Sequence, residues 1–262
     1  MKARAIPAKT IESWRVRTPA EAVKFIDAVG YCMLFPVDKI PLPALYSVVA
    51  RRNPRDGVYF DESFERIWRW KDDLPRRRRA FYGKYFRGKG TLISLRQLPH
   101  FLALEQSAVA PGDSQCFYRA GRIQDDARAI WAALEEHGPL ATLELRFACR
   151  MDTVAGNVRF KRAILDLQRL LIVSHFGSEQ ETRAWASGRY ELTSRAFPEE
   201  TAAALEIVPE QARRQLAAAF WRLHPNEPAS ALARLFGWRK EEALAASARE
   251  KSPDAAARGM CG

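Results

Sequence analysis

The stretch from Gln124 to Leu192 constrains the fold more than any other part of the chain. Between Gln124 and His137, residues Ala127, Ile130, Trp131 and Leu134 recur at the spacing of one helical face. Gly138-Pro139 stops that helix, because proline cannot continue it. Thr142 is suited to cap a second, short helix through Phe147, with Glu144 in its first turn. After a loop around Gly156, Val158 to Leu170 repeats the amphipathic pattern, inward through Phe160, Ile164, Leu167 and Leu171. Leu171 to His175 then reads as a strand, Gly177 as a turn, and Gly188 to Leu192 as a second strand. Three helices followed by two antiparallel strands is the order of a winged helix, whose third helix lies in the major groove of DNA.

The flanking segments extend this pattern. Thr18-Pro19 opens a helix with Val23, Phe25, Ile26 and Val29 inward, ended by Gly30. Tyr31 to Pro43 carries three prolines and reads as a loop or short strand, and Leu45 to Arg52 as helix. Asp61 begins a helix with Phe64, Ile67, Trp68 and Leu74 inward, broken at Pro75. Within Arg76 to Lys89, Phe81, Tyr82, Tyr85 and Phe86 are spaced as a helix face used for core packing, with Tyr82 or Tyr85 at its rim. Thr91 to Leu95 is strand-like, Leu98 to Gln106 helical, and Ala108 to Arg119 a loop and boundary. Beyond Pro198, helices are expected over Pro209–Leu223, Pro228–Phe236 and Arg239–Arg249. The last two form a helix-turn-helix packed by Trp221, Leu232, Leu235, Phe236 and Leu244.

The expected fold is therefore mainly α with small β-hairpins, built from tandem winged-helix (helix-turn-helix) units. The expected division is 1–107 (helical, winged-helix, with a basic segment), 120–197 (central winged helix), 198–250 (helix-turn-helix-like) and 251–262 (disordered tail).

Charge gives the first functional signal. The chain carries +11, and the segment from Arg66 to Arg96 holds eleven Lys or Arg against Asp72 and Asp73, an excess of +9. A solvated face ordinarily intersperses both signs. So concentrated a patch points to an anionic partner, and in a winged-helix chain to duplex nucleic acid. The candidate contacts are Arg51, Arg52, Arg76, Arg77, Arg78, Arg79, Lys84, Arg87, Lys89, Arg146, Arg159, Lys161 and Arg162.

Other chemistries are excluded by spacing. The four cysteines, at 32, 116, 149 and 261, form no C-x-x-C pair. Cys32 and Cys149 read as small core residues, and Cys261 belongs to the tail. The four histidines, at 100, 137, 175 and 224, form no metal spacing and read as surface or helix-end residues. Arg87-Gly-Lys-Gly90 lacks the spacing of a phosphate loop and reads as a basic turn. There is no G-x-S-x-G elbow, apolar leader or long apolar run. No metal or other cofactor, no membrane and a cytoplasmic, nucleoid-associated location are expected, with double-stranded DNA as partner and a monomeric state.

One set of residues resembles a known family. Gly138-Pro-Leu, Glu144-Leu-Arg, Phe160-Lys-Arg-Ala-Ile-Leu-Asp-Leu-Gln168 and Arg189-Tyr-Glu-Leu-Thr-Ser-Arg-Ala-Phe-Pro198 look like the central winged helix of the AlkZ/YcaQ-type bacterial DNA glycosylases. Pro36-Val-Asp-Lys-Ile40 resembles the place where that family carries its catalytic Gln-x-Gln or Gln-x-Asp. The helix entered at Asp61, with Trp68, Trp70 and Leu74-Pro75, resembles the stretch downstream. The resemblance spans roughly 20–245.

The resemblance implies tandem winged helices around damaged duplex DNA and excision of alkylated or crosslinked bases without a metal. Water would attack the glycosidic carbon, with a carboxylate stabilising the oxocarbenium-like transition state. By that carry-over the catalytic residue is Asp38. The sequence departs from the family at the first Gln, where Pro36 has no group to hold water. Asp61 or Glu62 is available as a second carboxylate, and a turn or capping role for Asp38 stands beside the catalytic one. Two functions remain open on sequence: a monofunctional DNA glycosylase, and a non-catalytic winged-helix DNA-binding or regulatory protein that has lost the catalytic Gln.

Overall fold

The computed structural model describes residues 11, 13–51, 57–106, 113–180 and 186–247. The expected tail at 251–262, Arg52 and Cys261 lie outside the described residues.

The N-terminal part runs α1 (Pro19–Val29), β1 (Tyr31–Met33), α2 (Leu45–Ala50), α3 (Glu62–Arg76), β2 (Phe81–Gly83), a short 3-10 turn (Phe86–Gly88) and β3 (Thr91–Ile93). Helices α4 (Leu98–Gln106) and α5 (Ser114–Arg119) follow. The central part runs α6 (Asp125–His137), β4 (Leu140–Ala141), α7 (Thr142–Ala148), α8 (Val154–Arg169), β5 (Val173–Glu179) and β6 (Ser187–Leu192). The chain ends in α9 (Thr193–Ala196), α10 (Pro198–Leu205), α11 (Pro209–Leu223), α12 (Ala229–Phe236) and α13 (Lys240–Ser247).

The first and central parts repeat one topology: helix, strand, two helices, two strands. Their antiparallel sheets share a strand order, β1-β3-β2 and β4-β6-β5, in which the last strand pairs with both others. The mainly helical class with small antiparallel sheets, of winged-helix type, is the one expected.

Local chemistry sets the boundaries. A reciprocal capping box starts α1: Glu21 N–H donates to Thr18 Oγ1, and Thr18 N–H donates back to the Glu21 carboxylate. Thr153 caps α8 by accepting from Gly156 N–H at 3.0 Å, so this helix begins four residues before the expected Val158. Thr142 is not the cap of α7; that position falls on Ala141, whose N–H donates to the Glu144 carboxylate.

Several expectations are corrected. Residues 81–83 form β2, not a helical face, since Phe81 and Tyr82 pair with Ile93 and Leu92. All three β2 residues are buried, so the strand shows no alternation. Pro75 does not break α3 but sits in its last turn. Trp68 is 39% exposed: the buried stripe of α3 is Ile67, Trp70, Lys71 and Leu74, and Trp68 lies one step off it, stacked on Phe64. Gly177 lies inside β5, at φ 106 beside the Arg76 side chain, not at a turn. Residues 114–119 are helical. Leu244 is exposed, because α13 buries Ala243 and Ala246 instead. Cys149 is only half-buried.

Three apolar clusters hold the chain. One fills the central unit around Ile130, Leu134, Phe160 and Leu167. Another packs α1, α2 and α3 through Phe25, Tyr46 and Ile67. The third joins β1 to α4, α11 and α12 around Tyr31, Phe101, Phe220 and Leu232. Tyr31 donates its buried hydroxyl proton to Leu216 C=O at 2.9 Å, fixing α11 against the N-terminal sheet.

Candidate nucleic-acid interface

Cations from separate units meet where α8 packs on the 86–88 turn. A Cβ on Gly88 would lie 3.1 Å from Arg169 Nη2 and 3.3 Å from Leu165 Cδ1, so the basic turn lies directly against the helix. Lys84, just beyond β2, is pushed below the ordinary ammonium value by burial, then by the neighbouring charges of Lys161 and Lys89. Like charges so placed repel one another, and an anion between them would relieve the repulsion. Lys89, Lys161 and Arg162 are exposed, and no ion pair engages them among the described residues.

The Asp38 turn lies next to this region. Ile40 N–H donates to Val37 C=O at 3.2 Å, closing the turn, and Asp38 is exposed on it rather than aimed into a core. Lys39 follows at φ 60. It lines a cleft of about 480 Å³ with Ile40, Pro41, Arg87, Glu227, Ala231, Arg234 and Leu235. The turn, the 86–88 segment and α12 therefore share one concavity. Asp61 and Glu62 are engaged elsewhere: Asp61 caps α3 by accepting from Phe64 N–H at 3.0 Å, and Glu62 pairs with Arg66 at 2.6 Å.

The remaining expected contacts divide into free and engaged groups. Arg51, at φ 58, lines a second basic cleft with Arg15, Arg17 and Arg66. Arg77 is exposed, Arg76 packs beside Gly177, and Arg78 donates to Arg195 C=O at 3.4 Å. Arg79 faces Asp27 together with Arg96. Arg146 donates to the carbonyls of Met151, Asp152 and Thr153 at 3.0–3.1 Å, tying down the loop into α8. Arg159 pairs with Asp126 through both carboxylate oxygens. The structure thus sets Lys84 within electrostatic range of Lys161 and Lys89, and leaves Arg146 and Arg159 occupied within the protein.

Sequence reasoning missed Lys39 and Arg234 as cleft residues. Lys39 adjoins Asp38 in sequence, but nothing in the amphipathic pattern of α12 marks Arg234. It also missed a buried polar junction between α3 and β5. His175, expected at a surface or helix end, is 7% exposed. Asp72 Oδ1 lies 2.5 Å from both His175 Nε2 and Lys71 Nζ. The rings of Tyr82 and Tyr190 stand edge-on to the imidazole at 5.3 and 5.7 Å. A Cβ on Gly188 would come within 2.8 Å of His175 Cε1, so the adjacent strand must carry glycine there. Flanked edge-on by two tyrosine rings, this pair joins α3 to β5.

Among the described residues, no group of three or more His, Cys, Asp or Glu is arranged to hold a metal, and no helix is long and apolar enough to cross a membrane.

The family model described as AlkZ related matches residues 16–237. Among solved structures, the Streptomyces sahachiroi DNA glycosylase AlkZ is similar at 16% identity and a TM-score of 0.50. The match covers 94% of this chain but 65% of that one, and at such identity the likeness is one of fold. No curated protein matches.

Proposed function

Because this chain belongs to the AlkZ-related family, we propose that it binds duplex DNA along the track from Lys161 and Lys84 to the Lys39 cleft, and excises a damaged base beside Asp38. The observation carrying this reading is the packing of α8, which bears Lys161 and Arg162, on the 86–88 turn, which Lys84 and Lys89 flank. Such a track follows phosphates and is indifferent to sequence.

In the proposed reaction the C1′–N bond of a damaged nucleotide breaks, the base departs with the bonding electron pair and the sugar gains positive charge. The Asp38 carboxylate stabilises that charge, and water adds its oxygen to C1′ and loses a proton to the solvent, leaving a C1′ hydroxyl. Pro36 supplies no side-chain group for the water, so the water would be oriented by other groups. That absence favours the second reading, a DNA-binding protein without excision.

One pair of measurements decides between them: duplex affinity, and release of 7-methylguanine from alkylated DNA, for the unaltered protein and for Asp38→Asn. Release lost in the variant with affinity kept supports the enzyme. Binding without release in either protein supports the second reading, and no duplex binding removes both.

A further inference from the structure

We propose that the cleft lined by Lys39, Arg87 and Arg234 is a clamp for one DNA phosphate, the one flanking the nucleotide that faces Asp38; this rests on the DNA-binding reading above. The three cations come from three elements: the Asp38 turn, the 86–88 turn and α12. Glu227 is the carboxylate of the lining, so the cleft keeps a net charge of +2, three cations against one anion. Ile40, Pro41, Ala231 and Leu235 supply its apolar lining. Its volume of about 480 Å³ suits a phosphodiester with part of its sugar.

Its cations are also available. No carboxylate pairs with Lys39 or Arg87 among the described residues, and Arg234 makes only a 3.3 Å bond from Nε to Ser230 C=O. Lys39 (φ 60) and Arg87 (φ 50) both adopt the left-handed conformation that side-chain-bearing residues seldom take. A side chain immediately after Asp38 thus shares a cleft with a residue of the C-terminal helix pair. A phosphate held there would fix the register of the strand over the carboxylate, which gives α12 a part in positioning.

The test uses the full chain and a duplex bearing one tetrahydrofuran abasic analogue, with single neutral methylphosphonates walked along the strand. The unaltered protein should lose affinity most at one linkage beside the analogue, and Arg234→Ala should sense that linkage less. Each phosphate contact contributes about 0.9 to the slope of log affinity against log salt. Combined Lys39→Ala, Arg87→Ala and Arg234→Ala should therefore lower the slope by about 0.9, because all three grip one phosphate. A loss nearly three times as large means three separate phosphates and overturns the clamp. So does a flat methylphosphonate walk; if inorganic phosphate then still raises the melting temperature of the unaltered protein but not of Arg234→Ala, the cleft is a free-anion site. Absence of duplex binding would instead remove the DNA reading itself. The walk on unaltered protein keeps the test sound if a variant folds poorly.

Discussion

His175 Nε2 lies 2.5 Å from the Asp72 carboxylate, joining β5 to α3 across 103 residues of chain. Burial lowers the His175 pKa from its ordinary 6.5, outweighing the carboxylate's pull upward. The imidazole is therefore neutral in the fold at pH 7 and donates its Nε2 proton. As pH falls through 6.5, the unfolded chain gains a proton that the folded chain refuses. Stability should decline over that interval by up to about 1.4 kcal/mol per pH unit. Asp72, held below its ordinary 3.8 despite burial by its hydrogen bond from His175 and the charges around it, adds a further loss at lower pH. Urea titrations between pH 7 and 5 should show the slope in the unaltered protein and a flatter one in His175→Gln. Equal slopes would mean that His175 does not set the acid sensitivity.

Lys84 and Lys161 repel one another in the free protein. Removing one charge should leave folding stability unchanged or raise it by a few tenths of a kcal/mol, the scale of exposed charge effects. The same change should weaken duplex binding at every sequence and lower the salt slope by about 0.9. Lys84→Gln is thus expected to hold or raise the melting temperature while binding less tightly. A lowered melting temperature with unaltered affinity would make Lys84 a structural residue.

Arg146 and Arg162 were equal candidates by charge, yet the fold uses them differently. Arg146 is occupied by three loop carbonyls, whereas Arg162 is exposed on α8. Arg146→Ala should cost roughly 1–2 kcal/mol of stability, since carbonyls that accepted from a cation lose their donor. Arg162→Ala should leave stability within about 0.5 kcal/mol and weaken binding. Thermal melts and duplex titrations on both variants check this, and the reverse assignment would contradict the geometry.

These cases mark what could be read in the chain. Helices Leu98–Gln106 and Pro209–Leu223 are found at the bounds read from the sequence, because apolar periodicity and proline punctuation are local signals. β2 was hidden because a strand buried on both faces has no alternation, and β4 because it has only two residues. The positive charge of α8 was visible, but not the engagement of Arg159 by Asp126, which depends on how α6 packs beside it. Asp38 stood out through its neighbours in sequence. Arg234 reaches the same cleft only through the packing of Phe236 against Tyr31 and Phe101, a long-range contact with no local trace.

Gly88 offers a way to separate backbone strain from contact at the basic turn. It adopts φ +70, and an added methyl would press on Leu165 and Arg169 of α8. Gly121 adopts a similar φ of +67, but a Cβ there meets nothing within 4 Å. Gly121→Ala therefore bears only the left-handed backbone penalty, on the order of 1 kcal/mol. Gly88→Ala bears that penalty and also displaces the turn from α8, so it should destabilise by about 1 kcal/mol more. Because Arg87 and Lys89 flank Gly88, duplex affinity should fall for this variant and stay constant for Gly121→Ala. Paired urea denaturation and duplex titration measure both effects. Equal destabilisation of the two variants would show that the turn yields freely, and that close packing on α8 does not hold its cations in place.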